Sequence, residues 1–285
     1  MSSLDKALGI LSCYSLESSE LGVTEVAEKL GMPKSSTSRL MKAMAEAGLL
    51  EQRPDRTYVP GLLAFQLGNI YQRRLRILTL IDEAVTGLVK KFGLTGYVGV
   101  MNGQEVILIG VQQGSYPVRL VLEKGTRIPA QVSGIGMALL SRHSDAKIQK
   151  LFPETVAYEE TGRVTSAEDI IAQARKIRDA GFVTMTGGTY YGFSAVAAAV
   201  ESAAERQLIG FSLSCPEELL NEVDIREIEQ AVASTAYEVG VRTADSYWLT
   251  RKPATLGLTG GQDRKIEEEA GPKSKKSIGR LAGGL

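Results

Sequence analysis

Five residues in one short stretch, Ser35, Ser36, Ser38, Arg39 and Lys42, carry hydroxyls, a guanidinium and an ammonium, the groups that bond phosphate oxygens and base edges. Around them Lys29, Lys34, Arg39 and Lys42 follow one another with no acid in between. At helical pitch Ser35, Arg39, Lys42 and Glu46 fall at i, i+4, i+7 and i+11, with Ser36 and Ser38 flanking, while Thr37, Leu40, Met41, Met44 and Ala47 take the opposite side. One stripe packs and the other is free to read, so the spacing predicts a DNA-recognition helix. Arg39 is the expected base reader, because bidentate contact with guanine is the commonest specific pairing. The serines and Lys42 are expected on phosphates, and Arg53 and Arg56, either side of a Pro54-Asp55 turn, on phosphate or the minor groove.

The neighbouring elements must present that helix. Leu4, Leu8, Leu11 and Tyr14 or Ser15 mark a first helix; Thr24 is the expected cap of a second over 25–30, stopped by Gly31. The recognition helix spans 34–47 and closes at Gly48, and 49–53 with 56–59 read as a hairpin. Three helices and a basic hairpin make a winged helix-turn-helix over residues 1–61. Residues 62–75 follow as a linker helix with Leu63, Leu67 and Ile70 on one side.

From 76 to 250 the pattern is that of a second, α+β domain. An amphipathic helix carries Leu78, Ile81, Val85, Leu88, Val89 and Phe92, and strands are expected at 97–101, 105–111, 118–122, 194–200 and 208–214. Ser133 should cap a helix beginning SGIGMALL, Thr165 and Glu168 should form a capping box for a helix over 166–180, and a last helix runs over 225–241 with Ile228, Val232, Thr235 and Val239 on one face. Residues 251–285, rich in Gly, Lys and Ser, read as a flexible tail.

Composition narrows the function. The 33 basic and 33 acidic side chains cancel, so DNA binding has to come from a local arrangement of bases. No apolar run approaches the ~18–20 residues that span a bilayer, and no leader pattern opens the chain, so a cytoplasmic protein without membrane contact is expected. Two cysteines and one histidine support neither a disulfide framework nor a metal site, and no cofactor motif occurs. A hydrolase would need His143, but YGFSA at 191–195 lacks the second glycine of a nucleophile elbow. The expectation is a binding protein and not an enzyme. A protein of another class, a small-molecule-binding signalling or scaffold protein whose winged helix makes protein contacts, stays open on composition and spacing alone.

The segments GMPKSSTSRLMKAMAEAGLLEQ, GTRIPAQVSGIGMALLS and RDAGFVTM, and the pair GFSAVAAAVE and LIGFSLSCP, in this order over residues 4–245, resemble the IclR family of bacterial transcriptional regulators. The resemblance implies a winged helix joined by a linker helix to a GAF-like effector domain, an antiparallel sheet flanked by helices. It also implies a homodimer, often paired into a tetramer, that binds a palindromic operator of a catabolic operon as a repressor and answers to a small organic metabolite. Carried over by position, the effector cup would be lined by Leu120, Ile128, Gly134, Ile135, Met185, Phe193, Ala195, Ser212 and Ser214. Physical chemistry agrees with part of this: the amides of Gly134 and Ile135 at a helix start suit a carboxylate, and Ser212 and Ser214 alternate along one strand and share a face. Where many relatives have acids in the loop after the RDAGF segment this chain has MTGGTYY, Ala195 stands where some have cysteine, and Met137 replaces a frequent lysine. A carboxylic or aromatic acid is therefore the expected effector.

Overall fold

The structure, a computed structural model, describes residues 2–158, 163–221 and 225–251, so the expected tail lies outside the described residues from 252 onward. The first three helices are α1 (Ser3–Ser12), α2 (Val23–Leu30) and α3 (Lys34–Glu46), followed by β1 (Leu50–Gln52) and β2 (Tyr58–Pro60), an antiparallel wing. Ile10, Val26, Met41, Met44, Leu50 and Tyr58 form their common core. Three details differ from the expectation. Leu4 and Leu8 are exposed, because Ile10 sets the phase of α1 and brings Ala7 inward beside the expected Leu11 and Tyr14. Thr24 is not a cap: Leu21 exchanges backbone bonds of 3.0 and 2.9 Å with Tyr58, which keeps the chain extended up to the actual N-cap, Gly22. Ala47, expected in the packed stripe of α3, is its exposed C-cap.

The connecting helix α4 (Leu62–Arg74) has no buried residue, and its Leu67 and Ile70 are exposed. One extended residue, Leu75, separates it from α5 (Arg76–Phe92), whose stripe of Leu78, Ile81, Val85, Leu88 and Val89 is buried as the spacing requires. The remaining elements are β3 (Thr95–Asn102), β4 (Glu105–Gln112), β5 (Arg127–Pro129), α6 (Gly134–Ser141), α7 (Asp145–Leu151), β6 (Val156–Tyr158), β7 (Arg163–Thr165), α8 (Ala167–Ala180), β8 (Val183–Thr186), β9 (Phe193–Ser202), β10 (Gln207–Pro216), α9 (Ile225–Arg242) and the short α10 (Ser246–Leu249). Six strands make one antiparallel sheet in the order β5-β4-β3-β10-β9-β8.

Here three expectations need correction. Residues 118–122 are not a strand: β5 occupies the outer edge of β4, fixed by Leu108 bonding to Thr126 and Gly125, and the apparent alternation reflects Leu120 turned inward while Val118 and Val121 are exposed. The capping box of α8 is Ser166 with Asp169, one residue later than expected, because Thr165 still pairs with Val156 in β7. In α9 the inward position beside Val232 and Val239 is Ala236, with Thr235 only half-buried. Edge strand β8 and helix α7, both short, were not anticipated.

The sheet separates two cores. Val98, Val100, Val196, Val200, Phe211 and Leu213 face α5 and α9, while Tyr97, Val106, Leu108, Ala197 and Ala199 face α6 and α8. The resulting α+β sandwich is closed at its C-terminal end by an ion pair. Arg142, just past α6, meets Asp245 through Nη1 and Nη2 at 3.0 and 2.6 Å and bonds the Ala199 carbonyl at 3.0 Å. Asp245 in turn accepts the amides of Glu201 and Tyr247, so both oxygens are satisfied. The side chains are only 7% and 1% exposed. Removing one partner strands the other charge in the interior: Arg142→Ala should lower stability by about 3–5 kcal/mol, read from the urea midpoint. His143, the next residue, is half-buried, and burial first, then Lys147 and Arg142, hold its pKa below the usual value. The unfolded chain then binds more protons than the folded one as pH falls through the ordinary histidine range, so stability drops with acidification there. As the chain has one histidine, His143→Gln should flatten the stability-versus-pH slope just below neutrality.

Candidate DNA-binding surface and effector cavity

The geometry of the recognition helix follows from its ends. Gly31 adopts a left-handed conformation (φ 61°), which lets Met32 bond back to the Ala27 carbonyl and turns the chain before Pro33. Thr37 is buried and donates its hydroxyl to the Pro33 carbonyl at 3.2 Å, pinning the first turn of α3. With Thr37, Met41 and Met44 inside, Ser35, Ser38, Arg39 and Lys42 are exposed on the other side and Ser36 is half-buried. The structure thus brings these five together on one outward surface. Arg53 and Arg56 are exposed at the tip of the wing, apart in sequence from that surface. Arg56 has φ 72°, a strained turn position whose amide bonds the Arg53 carbonyl at 3.0 Å, and Arg53 lies 3.9 Å from Glu20. Lys34, exposed in the first turn of α3, adds a cation that was counted in the sequence but not assigned a contact.

All nine residues carried over for an effector cup line one cavity between the sheet, the start of α6 and the loops 113–126 and 187–192. The floor is set by register. Ser212 lies between Tyr97 and Ala197, and Ser214 between Thr95 and Ala195, so each serine has a small alanine beside it on the β9 side. Gly134 abuts that row: a methyl group there would lie 3.2 Å from the Ala195 Cβ and 3.3 Å from the Ala197 Cβ. Leu120, Ile128 and Ile135 form one wall, Met185 and Phe193 the other. The empty space is about 530 Å³ with the open mouth included, so an occupant must be small.

Several further residues line the cavity beside the nine carried over. Tyr97 reaches across the cavity wall and donates its hydroxyl to the Leu120 carbonyl, holding the 118–122 segment down; burial pushes its phenol up to about 12, so it remains a proton donor throughout the physiological range. Thr189 bonds the Val132 carbonyl at 3.0 Å, and Gly188 sits where a methyl group would fall 2.4 Å from that same oxygen. Tyr190 also lines the space. Only side-chain alternation along strands could have pointed to Tyr97; the loop residues are placed by contacts far apart in sequence.

The electrostatics are those of neutral donors. No lining side chain is charged. At the start of α6, Ser133 Oγ accepts the Gly136 amide at 3.0 Å and the Ser133 carbonyl the Met137 amide at 2.9 Å, leaving the Gly134 and Ile135 amides with no acceptor among the described residues. Such amides, with the positive end of the helix dipole, suit an anion or a carbonyl oxygen. Cys215, next to Ser214, points to the other face; burial raises its thiol to about 11, which keeps it inert. Among the described residues no cluster of His, Cys, Asp and Glu could hold a metal, and no helix is long and apolar enough to cross a membrane.

Comparison with known proteins assigns both halves. Residues 3–54 match the IclR helix-turn-helix domain, and residues 70–241 the C-terminal domain of the bacterial transcriptional regulator IclR. The chain is 26% identical over 238 residues to the HTH-type transcriptional regulator BhcR of Paracoccus denitrificans, spanning 83% of this chain and 85% of that protein. It is 23% identical to the HTH-type transcriptional repressor AllR of Escherichia coli, over 83% of this chain and 88% of that one. The fold is shared with a crystal structure of an IclR homolog from Microbacterium hydrocarbonoxydans complexed with 4-hydroxybenzoate, at TM-score 0.69 and 17% identity over 85% of this chain and 99% of that one. A winged helix with an outward basic face, a helix-flanked antiparallel sheet with a cavity on one side, and family matches across both place this chain in the IclR family: it is a DNA-binding transcription regulator of the bacterial cytoplasm with a C-terminal effector-binding domain, and not an enzyme.

Proposed function

We propose that the chain is a repressor of a catabolic operon that binds a palindromic operator through Ser35, Ser36, Ser38, Arg39, Lys42, Arg53 and Arg56, and is controlled by a small aromatic or other organic acid held in the cavity. Residues 1–61 act on DNA, 62–75 connect, and 76–250 hold the effector and the partner subunit. The observation that carries the effector reading is the coincidence, inside a cavity with no charged lining, of two unused amides at the start of α6 with the Ser212 and Ser214 hydroxyls on its floor. These donors suit a single carboxylate, and the flanking Phe193, Tyr190 and Met185 suit a ring. The relative crystallised with 4-hydroxybenzoate supports that class, and the repressor AllR supports the sign of control.

Self-association is supported by α4, whose Leu62, Phe65, Leu67 and Ile70 are all exposed, with Leu4 and Leu8 of α1 adding to the apolar surface. A second copy covering it would set two recognition helices in successive major grooves about 34 Å apart, and two such dimers could pair into a tetramer. An effector changes DNA affinity only in so far as it binds two arrangements of these helices unequally.

On duplexes selected from a random pool, Arg39→Ala should weaken binding by about 1–3 kcal/mol and relax sequence preference, whereas Lys42→Ala should weaken all duplexes alike and lower the salt slope by about one. Retention of full affinity by Arg39→Ala would remove it as the base reader. In thermal-shift titrations of the full chain, 4-hydroxybenzoate should raise the melting temperature, and Ser214→Ala should weaken that response roughly tenfold, the equivalent of one lost hydrogen bond to a charged group. An unaltered response in Ser214→Ala would sink the assignment of the floor.

A further inference from the structure

The end of the β9–β10 hairpin remote from the cavity performs a task that the effector and DNA sites do not explain. Residues 203–206 form its turn, and the Glu205 carboxylate accepts two amides from a region 128–129 residues away: Oε1 from Arg76 at 2.9 Å and Oε2 from Ile77 at 3.3 Å. Those are the first two amides of α5, which has no cap of its own, since Leu75 offers no side-chain acceptor. A carboxylate on both also complements the positive helix end. Just before them lies Leu75, the single extended residue (φ −92°, ψ 90°) between the helix leading from the DNA-binding domain and the first helix of the effector domain. Leu75 is itself buried at 1% exposure, together with Ile77, against the core that includes Val200 and Ile209 of the same hairpin.

The hairpin is therefore continuous from one functional end to the other. Its Ala195, Ser212 and Ser214 line the cavity, its ten-residue strands pair without a break from Phe193–Pro216 to Ser202–Gln207, and its turn holds the junction. Ser212 and Ser214 lie seven and nine residues along the chain from Glu205, on the order of 20–30 Å. The turn is anchored to its own domain: Glu205 donates its amide to Ser202 Oγ at 3.3 Å, Ala203 bonds the Thr243 carbonyl, and Arg206 takes a left-handed φ of 51°. A shift of the hairpin on occupation of the cavity would reach the α4–α5 junction through the packing of Leu75 and Ile77 and, as the one hydrogen-bonded link among the described residues, through the Glu205 carboxylate.

We propose that Glu205 is the positioning residue that couples the effector cavity to the DNA-binding domain, by transmitting the setting of the β9–β10 hairpin to the bend at Leu75. This rests on the effector reading above for the location of the ligand. It assigns Glu205 no contact with ligand or DNA; its effect is on the link between them, and by linkage that effect is the same in both directions.

The test uses full-length wild-type, Glu205→Ala and Glu205→Gln chains with 4-hydroxybenzoate as probe, reading ligand affinity by calorimetry and hydrogen exchange of peptides covering residues 72–80. In wild type, the probe should change exchange at the junction at least about fivefold, the lower end of typical coupling. Glu205→Ala should bind the probe within about twofold of wild type yet lose most of that change, and Glu205→Gln, which keeps one acceptor oxygen, should recover part of it. A lowered melting temperature with the ligand-dependent change intact would make Glu205 a helix cap and nothing more, and would overturn the proposal; so would an absence of any change at 72–80 when the wild type binds. If the wild type binds no probe, it is the ligand class that fails, and Ser214→Phe, which fills the cavity from its floor, replaces the probe in the same comparison: junction exchange that shifts with Glu205 present and not in the double variant with Glu205→Ala supports the coupling, and any other result ends it.

Discussion

The close approach of α6 to the sheet is the constraint on which the effector domain depends. The strand residues beneath that helix are stripped to Gly99, Gly210, Ala195, Ala197 and Ala199, and a methyl group on Gly210 would lie 2.7 Å from the Ile135 side chain. Gly136 meets the Ala130 backbone just as closely from the helix side. Dense packing of this kind tolerates no added volume. It also brings the first amides of α6 down onto the same sheet row as Ser212 and Ser214, so the donors of the cavity follow from the packing itself.

Where the packing stops, the cavity begins. The helix covers the row of Gly99 and Gly210, while in the rows of Ser212 and Ser214 only its first residue, Gly134, meets the sheet, at Ala197 and Ala195, and loops roof the rest. Those loops are held by few bonds, Tyr97 to Leu120 and Thr189 to Val132 among them. A floor of regular strands under a roof of irregular backbone gives rigidity to the recognising groups and leaves the entrance free to vary. The opposite face of the sheet carries large apolar side chains against α5 and α9 and is occupied throughout by core. The same β9–β10 hairpin is thus a binding floor on one side and a packing surface on the other, and its turn meets the junction to the DNA-binding domain.

The two domains were unequally legible. The winged helix could be read with little help because its signals are local: Gly31 and Gly48 as helix stops, a 3.6-residue repeat in α3, and a Pro-Asp turn between basic residues. Even there, the cap of α2 was misplaced because a long-range pairing of Leu21 with Tyr58 decides where the helix starts. In the sheet, β3 and β4 were found through their Asn-Gly turn, but 118–122 was mistaken for a strand because an alternating pattern marks any segment with one side against apolar surroundings. For the cavity, strand alternation identified only the shared face of Ser212 and Ser214; the other seven positions and the MTGGTYY loop that holds Thr189 and Tyr190 came from resemblance, and Tyr97 from neither.

By itself the sequence determined the helices and wing of the first domain, the long helices and the four long strands of the second, the outward polar stripe of α3, the cap at Ser133 and the inertness of two scattered cysteines, since each depends on residues within a turn or two of one another. Tertiary structure alone decided that Arg142 would meet Asp245, that Tyr97 would hold Leu120, and that Glu205 would cap a helix 128 residues before it. These partners carry no local mark. Their pairing exists only once strand register and helix packing have brought distant segments within hydrogen-bonding distance.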